Sequence, residues 1–100
     1  MLHTVNKSPF ERNSLRSCLR VAVDGSAVLL IEDGVYAAMS GTESAGLITE
    51  AAARLKVYAL GPDIKARGID EDRIAKGVQL VDYAGFVDLA AEHDTVQAWL

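Results

Sequence analysis

Cys18 is the only cysteine of the chain and its strongest candidate for covalent chemistry. A single thiol cannot close a disulfide within the chain, so Cys18 is either a small core residue or a group that exchanges sulfur. The surrounding apolar residues recur at helical spacing: Leu15, Cys18, Leu19 and Ala22. Cys18 lies on the flank of that apolar stripe, so we expect it to be partly exposed. Arg16 and Arg20 point to nearly the opposite face and cannot stabilise a thiolate directly.

The other chemically capable residues do not form a recognised site. His3 and His93 are far apart, and no cysteine or histidine spacing resembles a metal site. The loop at residues 6–10 contains a proline and no glycine, which argues against a phosphate, nucleotide or flavin cradle. Turn chemistry explains Glu32 and Asp33, which precede a glycine. We therefore predict no metal and no organic cofactor.

The apolar pattern predicts strands that alternate with helices. The strands are predicted at residues 2–5, 27–31, 56–60, 79–81 and 95–100. The helices are predicted at residues 15–22, 35–39, 44–55, 64–67, 70–75 and 83–93, with Asp82 as the N-cap of the last one. This order implies βαβ units with right-handed crossovers. The predicted fold class is α/β: a three-layer single domain over residues 1–100, with a mainly parallel sheet of four to five strands.

Composition excludes several classes of protein. The net charge is −4, without a basic run or stripe, so nucleic acid is not expected as a direct ligand. No apolar run approaches the roughly 18–20 residues that span a bilayer, and no signal-peptide region is evident. A chain without an internal disulfide fits the reducing cytoplasm. The apolar residues 96–100 include Trp99, which either closes the core or anchors a subunit interface.

Five stretches, in order and in register, resemble the DsrH/TusB family, and within it the DsrH branch of sulfur-oxidising bacteria. They are MLHTVNKSP at 1–9, LIEDGVYAA at 30–38, KVYAL at 56–60, DIKARG at 63–68 and VDYAGFV at 81–87. The resemblance implies a small α/β fold with a parallel sheet. It also implies assembly with DsrE- and DsrF-like subunits into a dimer of heterotrimers that relays sulfur as a cysteine persulfide.

The resemblance gives Cys18 a specific possible role. DsrH proteins carry a cysteine in the first helix, and Cys18 matches that position, whereas TusB-type members can lack it. Cys18 would then be an accessory cysteine that carries a persulfide towards a DsrC-like acceptor in cytoplasmic sulfur oxidation. The main reactive cysteine of such a complex belongs to the DsrE-type partner. On this hypothesis we expect Cys18 near a groove shared with another subunit.

Two alternatives remain open at this point. The chain could be a non-catalytic structural or docking subunit of a TusBCD-like complex for 2-thiolation of the tRNA wobble uridine, with Cys18 simply packed. It could also be a stand-alone α/β binding module, although its small size and apolar carboxyl-terminal segment favour a partner.

Overall fold

The computed structural model describes all 100 residues, which form one five-stranded sheet with every pairing parallel. The strands are β1 Leu2–Val5, β2 Ala27–Leu30, β3 Lys56–Leu60, β4 Val78–Val81 and β5 Val96–Trp99. The helices are α1 Ser14–Val21, α2 Glu43–Ala51, α3 Gly61–Ala66 and α4 Tyr83–Glu92, with 3₁₀ helices at Glu32–Ala38 and Glu71–Arg73. The predicted α/β class with a parallel sheet is confirmed.

The strand order, β4-β3-β2-β1-β5, determines which face of the sheet each helix covers. The first four strands advance in one direction, so right-handed crossovers place α1, α2 and α3 on the same face. The chain then returns past β1 to form β5, and the same handedness places α4 on the opposite face. The core divides accordingly. The larger cluster includes Leu15, Ile48 and Ile64 from the first three helices, and the smaller one includes Leu89 of α4.

The central strands β1 and β2 are buried along their whole length. Their pairing sets Val5 beside Leu30 and Leu2 beside Ala27. Val5 and Leu30 belong to the larger cluster, and Leu2 and Ala27 to the smaller one. Side chains of a strand alternate between the two faces, and both faces here are covered, so the continuous apolar sequence of β2 is the expected pattern.

Helix boundaries account for most differences from the sequence prediction. Helix α3 begins at Gly61, three residues earlier than predicted, because Pro62 is tolerated in a first helical turn. The predicted helix at 70–75 is only the short 3₁₀ helix Glu71–Arg73, and α2 ends at Ala51 rather than residue 55. The Asp82 N-cap is confirmed: its carboxylate accepts a hydrogen bond from the Gly85 N–H at 2.8 Å.

The sequence also predicted no membrane-spanning segment. The longest helix, α4, has 10 residues. No helix in the structure is both long enough and apolar enough to cross a bilayer.

Candidate functional site

Helix α1 places Cys18 against the sheet, with the thiol directed into the protein. Cys18 is 0% exposed and belongs to the larger core cluster, together with Leu15 and Leu19 from the same helix. The same cluster contains Val5 and Leu30, from the two central strands. The thiol therefore occupies an apolar and dry environment.

This environment sets the acidity of the thiol. Burial raises the pKa of Cys18 to about 12, and desolvation is the cause. At neutral pH roughly one molecule in 10⁵ would then hold a thiolate, which is the form that attacks a disulfide or persulfide. In this conformation Cys18 has the properties of a packing residue rather than a nucleophile.

The prediction that Cys18 is partly exposed was therefore wrong for this chain. A shallow groove of about 510 Å³ does run beside α1, lined from that helix by Arg16, Leu19 and Arg20, but Cys18 is not among its lining residues. The groove lies between α1 and α2, which contributes Leu47, Glu50 and Ala51. The helical phase of α1 correctly placed the arginines outward, but it did not show that neighbouring elements also cover the flank.

Two exposed arginines, Arg16 and Arg20, stand on α1, and Arg12 is exposed just before the helix begins. None of the three forms an ion pair. Three cations are fewer than the roughly 6–10 phosphate contacts typical of strong nucleic-acid binders. The expectation that nucleic acid is not a direct ligand accordingly stays a prediction.

The carboxyl ends of the strands, where α/β proteins usually bind ligands, hold a set of mutually bonded polar groups. Asp63 accepts a hydrogen bond from the Glu32 N–H at 2.6 Å. Arg67 Nε lies 3.0 Å from Asp33 Oδ1, and Arg67 Nη1 lies 3.9 Å from Asp63 Oδ1. Asn6 Nδ2 approaches Glu32 Oε2 at 3.5 Å. These bonds tie together the segments that follow β1, β2 and β3.

Backbone geometry at the carboxyl ends of the strands explains the sequence of the segment after β2. Glu32 adopts a positive φ of 50°, and its N–H is held by Asp63. A Cβ atom on Gly34 would lie 2.1 Å from the Val5 carbonyl oxygen, so only glycine fits there. The acids at 32 and 33 form the first turn of the 3₁₀ helix Glu32–Ala38, which begins three residues before the helix predicted at 35–39, and Asp33 additionally pairs with Arg67. No group of three or more metal-ligating side chains comes together anywhere in the structure.

Sequence reasoning missed a contact between His3 and Trp99. Trp99 Nε1–H donates a hydrogen bond to His3 Nδ1 at 3.1 Å, and the ring centroids are 6.2 Å apart. His3 is buried in β1, and Trp99 packs against the larger core cluster from β5. Trp99 therefore helps to close the core, one of the two roles considered for it. The paired register of β1 and β5 brings the residues together, and only knowledge of the strand order could have revealed this contact.

We expect the burial of His3 to make stability pH-dependent. Desolvation, with a smaller contribution from the N-terminal charge, lowers the pKa of His3 below its ordinary 6.5. Below pH 6.5 the unfolded chain therefore binds a proton that the folded chain does not, and stability falls as pH falls. Each pKa unit of lowering corresponds to about 1.4 kcal/mol. Urea unfolding between pH 5 and 8 measures the effect.

A substitution of His3 separates this effect from the general acid response. His3→Gln is expected to flatten the pH dependence of stability between pH 5 and 6.5 relative to the wild type. Equal slopes in the wild type and the variant would show that His3 does not titrate in this way.

Fold and site together define a small parallel-sheet α/β protein whose one thiol is enclosed. Its polar side chains at the strand ends bond to one another, except that the buried Asn6 Oδ1 has no partner. Comparison with known proteins supports this class. The fold matches MTH1491 from Methanobacterium thermoautotrophicum, a protein of unknown function, with a TM-score of 0.76 at 17% identity, covering 97% of this chain and 96% of that one. It also matches the Escherichia coli ychN protein, with a TM-score of 0.76 at 18% identity and 97% coverage of both chains.

Sequence comparisons identify the family. Residues 7–96 match the family model described as DsrH like protein. The chain is 40% identical over 99 residues to Protein TusB of Pectobacterium parmentieri, covering 99% of this chain and 100% of that protein. It is 37% identical, with the same coverage, to Protein TusB of Escherichia coli K12. The chain belongs to the DsrH/TusB family. Membership in this family supports a role as a sulfur-relay subunit, but it does not decide between the DsrH and TusB branches.

Proposed function

We propose that this chain is a docking subunit of a cytoplasmic sulfur-relay complex, in which the main reactive cysteine belongs to a DsrE-type partner. Residues 1–100 act as a single DsrH-like domain. They assemble with DsrE- and DsrF-like subunits as a dimer of heterotrimers, and the complex hands sulfur to a separate acceptor. The observation that carries this role is the burial of Cys18 inside a chain that matches the family over nearly its full length.

The chemistry of persulfide transfer explains why burial matters. An attacking thiolate bonds to the outer sulfur of a cysteine persulfide, the S–S bond breaks, and the donor leaves as a thiolate, so no external oxidant or reductant is consumed. The attacking group must be ionised and must reach that sulfur. Cys18, fully enclosed and with a pKa of about 12, meets neither condition in this conformation.

A second candidate role keeps Cys18 as the accessory persulfide-carrying cysteine of the DsrH branch. Its position in the first helix favours this role, because the family resemblance places a cysteine there. Transfer through Cys18 would require α1 to move away from the sheet, since Leu15 and Leu19 bury the same face of the helix. This role remains a prediction.

The pathway also has two candidates. Cys18 favours sulfur oxidation with a DsrC-like acceptor, whereas the TusB names of the curated relatives favour 2-thiolation of the tRNA wobble uridine. Offering the loaded complex a DsrC-like protein and a TusE-like protein in parallel, and measuring which becomes persulfidated, distinguishes them.

Sulfur loading of the reconstituted complex tests the docking role. The wild-type chain and a Cys18→Ala variant are each purified with the DsrE- and DsrF-like subunits, loaded with persulfide and weighed by intact-protein mass spectrometry. We expect sulfur on the DsrE-type subunit, none on this chain, and equal transfer rates in both complexes. Sulfur on Cys18, with transfer lost in the alanine variant, would establish the accessory role instead. Failure of this chain to bind either subunit would overturn both roles.

A further inference from the structure

An open hollow of about 690 Å³ lies on the α1 face of the sheet, at the end where β1, β2 and β5 begin. Its apolar lining consists of Met1, Val21, Val23 and Trp99. Ligand pockets in proteins typically measure roughly 300–1,000 Å³ and are mainly apolar, with a few polar groups that orient the ligand. The hollow has the size and the apolar lining of such a pocket, so its polar groups determine which ligand chemistry it suits.

Two buried polar side chains line this hollow: His3 of β1, which is 3% exposed, and Ser26, which immediately precedes β2 and is 6% exposed. Side chains alternate between the two faces of a sheet. His3 therefore shares a face with Val5, and Ser26 lies on the face opposite to Ala27. Both side chains thus lie on the α1 face, on strands that pair with each other.

The hydrogen bond from Trp99 determines what His3 offers to the hollow. Trp99 Nε1–H donates to His3 Nδ1, so in the neutral imidazole the other nitrogen, Nε2, carries the hydrogen. The pKa of His3 lies below 6.5, mainly through desolvation, and the ring is therefore neutral at pH 7. A nitrogen that carries a hydrogen can neither ligate a metal nor take a proton from Ser26. His3 accordingly presents a hydrogen-bond donor, and not a base.

Neither of these polar groups has a partner within the protein. The Ser26 N–H donates to the Val23 carbonyl and the Ser26 carbonyl accepts from the Lys56 N–H, but the Ser26 hydroxyl bonds to no other group. Asn6 Oδ1 is the only fully enclosed side-chain nitrogen or oxygen without a partner. His3 Nε2 and Ser26 Oγ are therefore reachable from the hollow that both residues line. Polar groups this deeply placed are normally paired with protein, water or a ligand.

The charges around the hollow suit a negatively charged acceptor. Asp24 is the only acidic residue that lines it, and an ion pair with Arg54 at 3.3 Å offsets that charge. His93 also lines the hollow, and the positive charge of the amino terminus contributes to lowering the pKa of His3. A carboxylate only accepts hydrogen bonds, through two oxygens, and bonds to an ionised acceptor are stronger than bonds between neutral groups.

We propose that the hollow binds a small carboxylate with an apolar body, whose oxygens accept hydrogen bonds from His3 Nε2–H and from the Ser26 hydroxyl. The apolar body covers Val21 and Val23, which are otherwise exposed, and lies against Trp99. This site is at the opposite end of the strands from the bonded polar groups that follow β1, β2 and β3. It is independent of Cys18 and of the relay pathway.

Fluorescence of the purified full chain tests the proposal, because Trp99 is the only tryptophan and lines the hollow. Octanoate is the probe, and we expect it to change the Trp99 emission saturably, with a Kd below about 1 mM. Acetate lacks the apolar body and octylammonium lacks the acceptor, so neither should saturate in this range. The proposal is overturned if octanoate gives no saturable change up to about 10 mM, or if octylammonium binds as tightly as octanoate.

Matched serine variants locate the probe. Ser26→Ala should weaken octanoate binding about tenfold by removing one donor to an ionised group. Its thermal unfolding midpoint should not fall, since the lost hydroxyl has no partner in the protein. Ser44→Ala is the control: Ser44 is equally buried, bonds to Thr42 and does not line the hollow, so octanoate affinity should stay as in the wild type. Equal affinities in the two variants would overturn the site.

Nuclear magnetic resonance of the imidazole nitrogens gives a readout that needs no variant. The free chain should show neutral His3 with its hydrogen on Nε2, and octanoate should shift that proton and slow its exchange with water. A hydrogen found on Nδ1 instead, or an Nε2 proton that octanoate leaves unchanged while Trp99 emission responds, would overturn the proposed contact.

Discussion

Cys18 in the folded chain is expected to react with a thiol reagent such as a disulfide or iodoacetamide at least about 1,000 times more slowly than an ordinary cysteine. The pKa of about 12, against an ordinary value of 9.0, alone reduces the thiolate fraction by that factor. Complete burial adds a further barrier, because the reagent cannot approach the sulfur until α1 opens. Reaction rates at pH 7.5, followed by mass spectrometry, measure the effect.

The unfolded chain is the internal control for this experiment. In denaturant Cys18 should react at the rate of a free thiol, since burial is the cause of the protection. Adding the proposed DsrE- and DsrF-like subunits to the folded chain then tests whether assembly opens α1. If the folded chain alone already reacts at the rate of the unfolded chain, the enclosed environment of Cys18 is refuted, and with it the observation that supports the docking role.

The thiol also shows where sequence reasoning reaches its limit. A helical wheel orders residues only by their angle around one helix, and Cys18 lay at the edge of the apolar arc. Its burial depends on side chains contributed by other elements, including Val5 of β1 and Ile48 of α2, which belong to the same cluster. A single sequence does not reveal which elements pack on the flank of α1, so the exposure of a flank residue could not be predicted.

Local features were predictable because their causes are local. The apolar run at β2 and the Asp82 cap follow from residue types and spacing within a few positions. The hydrogen bond between Trp99 and His3 joins residues 96 positions apart and exists only because β5 returns beside β1. The handedness rule explains that arrangement after the strand order is known, but it does not choose the order by itself.

The hydrogen-bonded polar groups at the carboxyl ends of the strands were predictable only in part. Glu32 and Asp33 follow the strand predicted at residues 27–31 and Asp63 follows the strand predicted at 56–60, so the sequence places all three near the carboxyl ends of strands. It did not predict that Arg67 pairs with both aspartates, or that a backbone N–H uses the Asp63 carboxylate. Pairing of this kind depends on side-chain geometry within a few tenths of an ångström. A substitution in these same segments is the strongest test of how closely they pack against the sheet.

Gly34→Ala is expected to destabilise the protein by at least about 3 kcal/mol, a large part of the stability of a small domain. The added Cβ would lie 2.1 Å from the Val5 carbonyl oxygen and 2.9 Å from its carbonyl carbon, both of them backbone atoms of a buried strand. A flexible side chain could move aside, but a central strand cannot shift without disturbing its neighbours. The turn would have to separate from β1, which would also weaken the contact between Asn6 and Glu32. Thermal and urea unfolding followed by circular dichroism measure the loss.

Gly46→Ala is the matched control, because the same methyl group is added to the same residue type. Gly46 lies within α2, and a Cβ there would meet nothing within 4 Å. Alanine is the better helix former by about 0.5–1 kcal/mol, so this variant should be more stable than the wild type. The two substitutions are thus expected to shift the unfolding midpoint in opposite directions. A Gly34→Ala protein as stable as the wild type would mean that the turn after β2 does not contact the Val5 carbonyl, and the close packing of the loops at the strand ends would have to be abandoned.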